Sequence, residues 1–156
     1  MHDRIISEDA HLLGFQMRML DKNMRKAFEA LQYKTFPDRD QTAVSHGWVV
    51  GYIYRHSESD VYQKDLENAF HMAPSSITAI VKNLEKSGLI KREAVEKDAR
   101  LKRIVLTDKG LEFQEKTMEN FAKLEQVAVA GIPKYDLDKF FEVIFQMRKN
   151  VEGFNE

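Results

Sequence analysis

One short segment of the sequence carries polar side chains whose types and spacing suit contacts with nucleic acid. Pro74 stands where a helix can begin, because the first helical turn needs no backbone N–H, and apolar residues then recur at helical spacing. The apolar stripe comprises Ile77, Ile80, Val81 and Leu84, and the opposite face comprises Ser75, Ser76, Thr78, Ala79, Lys82 and Asn83. This small, weakly basic face suits a helix that enters a groove about 12 Å wide and reaches phosphates and base edges. An ordinary solvated face has a similar composition, so the neighbouring segments must decide.

Those neighbours predict a helix-turn-helix followed by a β-hairpin. Leu66, Ala69 and Phe70 indicate a helix before the break at residues 71–73. Gly88 closes the second helix, because glycine readily adopts the left-handed conformation of a C-cap. Residues 89–93 and 103–107 are predicted strands, and the polar loop between them carries Lys97, Asp98, Arg100 and Lys102. A charged hairpin beside such a helix pair predicts a winged helix-turn-helix.

The sequence here resembles the MarR family of bacterial transcriptional regulators. The matching residues are Leu66, Ser75-Ser76-Ile77-Thr78, Val81, Leu84-Glu85, Gly88-Leu89-Ile90-Lys91-Arg92, Asp98-x-Arg100 and Ile104-x-Leu106-Thr107-x-x-Gly110. No single piece is specific to the family, but the ordered set is. The resemblance covers essentially the whole chain and is sharpest from Tyr62 to Gly110.

The resemblance implies a fold, a partner and a role. The fold would be mainly α with a small β-hairpin wing, a winged helix-turn-helix over about residues 42–110, and dimerisation helices over about 7–36 and 108–152, all in one domain. The role would be that of a ligand-responsive repressor that binds a pseudo-palindromic operator in double-stranded DNA as a homodimer. Arg100 would enter the minor groove, where negative potential is concentrated, while Asp98 fixes its posture.

Composition limits the classes of protein that remain. The 156 residues have the length of one domain, and 43% apolar with 31% charged residues is typical of a soluble globular protein. No apolar run approaches the length of a membrane span, and residues 1–7 do not form a signal peptide, so we expect a cytoplasmic protein without a membrane partner. Cysteine is absent, which excludes disulfides and thiol-based sensing.

The charge distribution favours a nucleic-acid partner. The net charge is −1, yet residues 74–110 carry nine basic and five acidic residues, a local charge of +4. The flanks supply the compensating negative charge. A basic patch on an otherwise acidic body is the expected electrostatic footprint of a protein that binds DNA.

The segments before the helix-turn-helix predict two helices. Ser7-Glu8-Asp9 is suited to cap the first, which we expect to end before Pro37, and Thr42 is suited to cap the second, over residues 43–56. The first helix carries a stripe of Leu13, Met17, Leu20, Met24, Ala27, Phe28 and Leu31, with Leu12, Phe15 and Met19 outside it. A helix that is apolar on two sides needs two surfaces to cover it.

Gly47 and Gly51, four residues apart in the second helix, indicate that something approaches its backbone closely. Each glycine costs about 1 kcal/mol relative to alanine in a helix. Tight packing against the first helix is one interpretation. The other is a small aromatic or anionic effector, as the resemblance implies, for which Phe15, Trp48 and Tyr52 are the candidate binding residues. Simple core packing would also account for these three side chains.

Two further helices follow the wing. Thr107 is suited to cap the first, which we expect to end near residues 131–133, and Asp136 is suited to open the last. Their apolar residues are Leu111, Met118, Phe121, Leu124 and Ala128, and then Leu137, Phe140, Phe141, Ile144, Met147 and Val151. The terminal helices therefore offer more apolar surface than the small winged module can cover, and we predict that a second copy of the chain covers it.

Nothing in the sequence indicates catalysis, a cofactor or a metal site. A nucleophile motif and a phosphate-binding glycine loop are both absent, so we expect no enzyme activity. The five histidines show no His-x-x-x-His spacing, so we expect no bound metal. The alternative to a DNA-binding regulator is a winged-helix module that contacts other proteins without binding DNA.

Overall fold

The computed structural model describes residues 12–38, 41–95 and 98–154, with the backbone alone for residues 41, 42 and 98–100. The described helices are α1 (Leu13–Thr35), α2 (Gln41–Ser45), α3 (Gly47–Arg55), α4 (Gln63–Phe70), α5 (Pro74–Lys86), α6 (Asp108–Ala128) and α7 (Lys134–Glu152). Two antiparallel strands, β1 (Ile90–Val95) and β2 (Asp98–Leu106), lie between α5 and α6. This mainly helical fold with a two-stranded hairpin confirms the predicted fold class. None of the helices in these ranges is long and apolar enough to cross a membrane.

The buried core lies between residues 36 and 113 and gathers the predicted stripe of α5. Ile77, Val81 and Leu84 are fully enclosed, and Ile80 is almost so. They pack within one cluster that also contains Val49, Val50, Ile53, Leu66, Leu89, Ile90, Ile104 and Phe113. Because burying each large apolar side chain contributes about 1.5–3 kcal/mol, this stripe determines which face of α5 points to solvent.

The turn between α4 and α5 forms where the apolar rhythm breaks. His71 takes a left-handed conformation, with φ 49°, and the Met72 backbone N–H donates to the Glu67 carbonyl oxygen at 3.2 Å. Pro74 then occupies the first turn of α5, as predicted. At the far end of α5, Gly88 has φ 72°, which confirms its predicted role in ending the helix.

The single helix predicted over residues 43–56 is wrong, because the chain breaks it at His46. The backbone of His46, at φ −96° and ψ 13°, leaves the helical region, so that α2 ends at Ser45 and α3 begins at Gly47. Thr42 lies inside α2 rather than at its cap. Both short helices share one apolar periodicity, so the sequence pattern cannot show the break. The proposed cap at Ser7-Glu8-Asp9 lies outside the described residues.

The wing has longer strands and a shorter loop than expected. Pairing runs from Ile90 with Leu106 to Ala94 with Lys102, and the register shifts before Val95 pairs with Asp98. The predicted loop over residues 94–102 was therefore too long. Backbone pairing continues past the buried residues of the hairpin, where the sequence lacks the alternating pattern from which strands are predicted. The last helix similarly begins at Lys134, two residues before the predicted Asp136.

A compact latch joins the end of the helix-turn-helix to the start of α6. The Thr107 backbone N–H donates to the Leu89 carbonyl oxygen at 3.1 Å, and its hydroxyl donates to the Gly88 carbonyl oxygen at 2.6 Å. The same hydroxyl accepts from the Gly110 backbone N–H at 3.0 Å, which confirms the predicted cap. A side chain on Gly110 would place its Cβ against the Leu89 carbonyl oxygen. Glycine at position 110 is therefore a steric requirement.

The chain divides into two compact units at residue 121. In the first unit, the start of α1 exposes apolar side chains, including Leu12, Leu13, Met17, Met19 and Leu20. In the second unit, α7 exposes Tyr135, Phe140, Phe141, Val143, Phe145 and Val151, and none of its residues is fully buried. Each unit thus carries an apolar helical surface that the described part of one chain leaves open to solvent.

Replacing Gly110 by alanine tests the latch. We expect Gly110→Ala to lower the free energy of unfolding by about 1–3 kcal/mol, since the added methyl group meets a backbone oxygen that cannot move without shifting α6. Urea and thermal unfolding would measure the change. The control is Gly14→Ala in α1, where an added Cβ meets nothing within 4 Å. Equal stability of the two variants would contradict the latch.

Candidate nucleic-acid interface and cavity

Helix α5 presents the polar face that the sequence predicted. Ser75, Ala79 and Lys82 are exposed, whereas Ser76, Thr78 and Asn83 are half-buried. Because the buried stripe fixes the rotation of the helix, these six residues share its outer side. The arrangement is that of a recognition helix whose one face belongs to the core and whose other face is free to contact a duplex.

Thr78 is already engaged by hydrogen bonds within the protein. Its hydroxyl donates to the Pro74 carbonyl oxygen at 2.7 Å and accepts from Nε2 of Gln63 at 2.9 Å. Nε2 of Gln63 also donates to Oε1 of Glu67 at 2.9 Å, so the start of α4 is tied to the middle of the recognition helix. The hydroxyl proton of Thr78 is thus committed, and its contact with DNA stays a prediction. Sequence reasoning missed Gln63, because no spacing rule relates positions 63 and 78.

Two arginines of the basic patch brace the winged module. Arg92 on β1 donates from Nε and Nη2 to Oε2 of Glu85 on α5, at 3.1 and 2.9 Å. Arg103 on β2 donates from Nη1 to Oδ1 of Asp60 at 2.9 Å. Its Nε and Nη2 donate to Oε2 of Glu93 at 3.2 and 3.0 Å. These side chains connect the hairpin with α5 and with the segment before α4, and neither connection could be predicted from the sequence.

Glu93 lies between two cations, which stabilises its ionised form. Nζ of Lys91 is 2.8 Å from Oε1 of Glu93. Hydrogen bonds from Lys91 and then from Arg103 lower the pKa of Glu93, and the hydrogen bonds to Asp60 and Glu93 raise the pKa of Arg103. A carboxylate with a lowered folded-state pKa loses its stabilising contribution only as the pH falls through that pKa. The brace is therefore fully formed at neutral pH.

Other cations of the patch remain available to a partner. Lys82 and Lys86 on α5 and Lys102 on β2 are exposed, and none forms an ion pair with another residue in the described ranges. Lys97 lies outside those ranges. Asp98 and Arg100 fall on the backbone of β2, but their side chains are not described, so their proposed roles stay predictions. The structure thus separates cations that hold the module together from cations that are free to bind phosphate.

A cavity of about 520 Å³ opens among α1, α3 and α6, within the first compact unit. Trp48, one of the predicted effector residues, lines it. Tyr52 instead stacks on His56, with ring centroids 4.1 Å apart, and packs edge-on against Phe70. Phe15 does not line this cavity either. Of the three candidates, the structure therefore places Trp48 alone at the cavity wall.

The two glycines of α3 have different surroundings. A Cβ on Gly47 would lie 3.2 Å from the ring of Phe113, so Gly47 allows tight packing against α6. The sequence had suggested packing against the first helix instead. A Cβ on Gly51 would meet its nearest neighbours, in Gln114 and Arg55, at 3.5 Å or more, which is ordinary contact. Packing accounts for Gly47 but not for Gly51.

A buried polar cluster connects α1 with α6 beside the cavity. Nδ2 of Asn120 donates to Oε1 of Gln32 at 2.7 Å and to Oγ1 of Thr35 at 2.9 Å. Nε2 of Gln32 donates to Oγ1 of Thr117 at 3.2 Å. Each amide therefore finds partners on the opposite helix, as buried polar groups require.

The three histidines within residues 12–38, 41–95 and 98–154 do not gather at a common site. Nδ1 of His56 lies 2.8 Å from the Tyr52 carbonyl oxygen, His71 occupies the turn before α5, and the ring of His46 faces the edge of Trp48. In the part of the chain that the structure describes, no group of three or more histidine, aspartate or glutamate side chains could hold a metal ion.

The recognition helix, its preceding helix and the paired hairpin define a winged helix-turn-helix protein. A family model described as "MarR family" matches residues 42–101. The helix-turn-helix transcriptional regulator YdgJ of Bacillus subtilis is 23% identical over 147 residues, which cover 94% of this chain and 83% of YdgJ. Over its winged helix-turn-helix the chain therefore resembles the MarR family of transcriptional regulators, as its sequence motifs predicted. The relatives that the chain resembles are transcriptional regulators, which agrees with the expectation that the protein is not an enzyme.

Solved structures share the architecture across most of the chain. MepR, a transcription regulator of the Staphylococcus aureus multidrug efflux pump MepA, matches with a TM-score of 0.76 at 22% identity, over 89% of this chain and 98% of MepR. MepR is also known in complex with DNA. The heme sensor protein PefR of Streptococcus agalactiae, bound to heme, matches with a TM-score of 0.65 at 27% identity, over 94% of this chain and 99% of PefR.

Replacing Asp60 by asparagine tests whether Arg103 positions the wing. The substitution removes a negative charge near the basic patch, which by simple electrostatics would strengthen DNA binding. If the Asp60–Arg103 pair holds the hairpin in place, we expect affinity to fall instead, by about threefold to fivefold. Fluorescence anisotropy with a DNA duplex would measure it. The control is Asp138→Asn, which removes an exposed pair with Lys134 far along the sequence. Tighter binding by Asp60→Asn would exclude the positioning role.

Proposed function

We propose that the protein is a repressor that binds a pseudo-palindromic operator as a homodimer. The two copies of α5 would lie in successive major grooves, about one helical turn of DNA apart. The observation that supports this most directly is the outer face of α5, which is polar, carries the exposed Lys82 and Lys86, and is held in place by a buried stripe. Since its target would be chromosomal DNA, we place the protein in the cytoplasm.

The contacts would divide between helix and wing. Ser75 and Ser76, at the start of α5, would approach phosphates, and Asn83 with Ala79 would face base edges. Lys82 would neutralise a phosphate from the far end of the same face. On the wing, Arg100 would enter the minor groove with Asp98 beside it, and Lys97 and Lys102 would contact the flanking backbone. MepR in its DNA complex provides a precedent for DNA binding by this fold.

The exposed apolar helices support the homodimer. Phe145, Val151 and Phe154, near the end of the chain, have 62%, 73% and 70% of their surface exposed. Exposed apolar side chains of this kind, and separately those at the start of α1, are of the type that a second chain would cover in a symmetric dimer.

We further propose that a small molecule bound in the cavity beside Trp48 alters operator affinity. Ligand binding can shift the spacing of the two recognition helices only if the ligand has different affinities for the two arrangements. The heme bound to PefR provides a precedent for a small-molecule sensor with this fold. The cavity lies against both α3, which belongs to the winged module, and α1, which is one of the predicted dimerisation helices.

The salt dependence of operator binding tests the role of Lys82. An operator would first be selected from a random DNA pool with the native protein. We expect Lys82→Ala to bind it more weakly and to reduce the slope of log K against log salt by about one per protomer, because one phosphate contact is lost. Lys123→Ala, on exposed α6, is the matched control. An unchanged slope for Lys82→Ala would remove Lys82 from the phosphate contacts, and failure to select any DNA would overturn the proposed function.

Light scattering tests the homodimer. We expect a mass of twice 18.2 kDa at micromolar concentration, because the exposed faces of α1 and α7 are too apolar to remain in water. Phe145→Asp should shift the population toward the monomer, whereas Lys139→Asp, a surface change on the same helix, should leave it dimeric. A mass of 18.2 kDa for the native chain would refute the dimer.

A further inference from the structure

The cavity beside Trp48 has aromatic walls. Phe28 and Phe121 stack with centroids 4.0 Å apart, and Trp48 meets Phe70 edge-on at 4.2 Å. All four side chains line the cavity, and all belong to the first compact unit, so a single protomer supplies the walls. Flat aromatic surfaces around a volume of about 520 Å³ favour a flat, unsaturated ligand.

Gln114 contributes a polar group that the protein leaves unsatisfied. Its residue is only 7% exposed, and its Oε1 is buried without a hydrogen-bond partner. The amides nearby are satisfied differently, since Gln32 and Asn120 bond to each other across α1 and α6. A buried acceptor without a donor is unfavourable, so it marks a place where a donor is expected to bind.

Gly51 keeps this polar corner uncovered. A Cβ at position 51 would lie 3.5 Å from Oε1 and 3.7 Å from Nε2 of Gln114, and 3.6 Å from Nη1 of Arg55. Those distances leave room for alanine, which would also favour the helix. Packing therefore does not require glycine here, and its effect is to leave the space that a Cβ would fill beside the amide of Gln114 empty.

We propose that the cavity binds a flat heteroaromatic molecule through a lactam-like edge that pairs with the amide of Gln114. The N–H of the ligand would donate to Oε1, and its carbonyl oxygen would accept from Nε2. Such a pair satisfies the donor and the acceptor of one amide together, as glutamine does when it recognises the edge of a base. The last torsion of a glutamine side chain is broad, so the edge can turn toward the ligand.

The charges around the cavity favour a neutral ligand. Arg55 and Glu29 both line it, so a positive and a negative group offset each other. A ligand with a net charge would be attracted by one of these side chains and repelled by the other. Selectivity would therefore come from the hydrogen-bonding edge and the ring. This inference depends on the ligand response proposed above, but the binding site can be tested without DNA.

Isothermal titration of the full chain with isoquinolin-1(2H)-one provides the test. This probe is a flat lactam, and its N-methyl derivative has the same ring without the donor. We expect the lactam to bind at least about tenfold more tightly than the N-methyl compound, because a site built around a hydrogen bond rejects an analogue that lacks it. Equal affinities, or no binding of either compound up to millimolar concentration, would overturn the proposal.

Two variants assign the effect to the polar corner. Gln114→Leu removes the unsatisfied amide and should keep or raise the melting temperature while abolishing the preference for the lactam. Gly51→Ala should likewise fold and be at least as stable, yet bind the lactam more weakly. A lactam preference that persists in Gln114→Leu would place the recognition elsewhere. Mobility shifts of both variants with the selected operator show separately whether DNA binding, and hence the proposed function, holds.

Discussion

The position of the recognition helix depends on one backbone contact, between the carbonyl group of Leu89 and the first turn of α6. The oxygen accepts from Thr107, and the chain can approach it this closely because Gly110 lacks a side chain. Helix α5 ends just before this point and α6 begins just after it. The end of α5 and the start of α6, the helix that carries Gln114, are therefore held together at this one position of the backbone.

Local patterns account for the parts of the fold that could be predicted from the sequence. The stripe on α5, the stop at Gly88, the cap at Thr107 and the turn at His71 each depend on residues a few positions apart. Helical periodicity, glycine at positive φ and hydroxyl caps all act over one or two turns, so the sequence carries them directly. The family resemblance then joined these local elements into one architecture.

The features that could not be predicted depend on groups that are distant in the sequence or on backbone geometry without a pattern. Arg103 meets Asp60 across 43 positions and Asn120 meets Gln32 across 88, and no periodicity relates them. The break at His46 interrupts a continuous apolar rhythm, so it leaves no trace in residue types. For the cavity, the sequence identified Trp48 and the glycine pair but not Gln114, whose buried and unsatisfied Oε1 becomes apparent only when α6 packs beside α3.

The basic residues of the patch have two different structural roles, which the composition alone does not distinguish. Arg92 and Arg103 hold carboxylates of their own chain, whereas Lys82, Lys86 and Lys102 extend into solvent. Arginine suits the first role, since its planar fork engages carboxylates at fixed angles, and lysine suits the second as a mobile point charge. The local charge of +4 therefore includes both groups: arginines that stabilise the module and lysines that extend into solvent.

The hydrogen-bonded amides and hydroxyls that join α1 and α6 restrict how α1 can move relative to α6. A displacement of α1 by one turn, about 5.4 Å, would separate Gln32 from Asn120 and leave both amides buried without hydrogen-bond partners. Sliding α1 along its axis therefore costs more free energy than tilting it, because a tilt about the cluster preserves these hydrogen bonds. Any relative motion of α1 and α6 that keeps these hydrogen bonds is therefore a rotation about the cluster rather than a displacement along the helix axis.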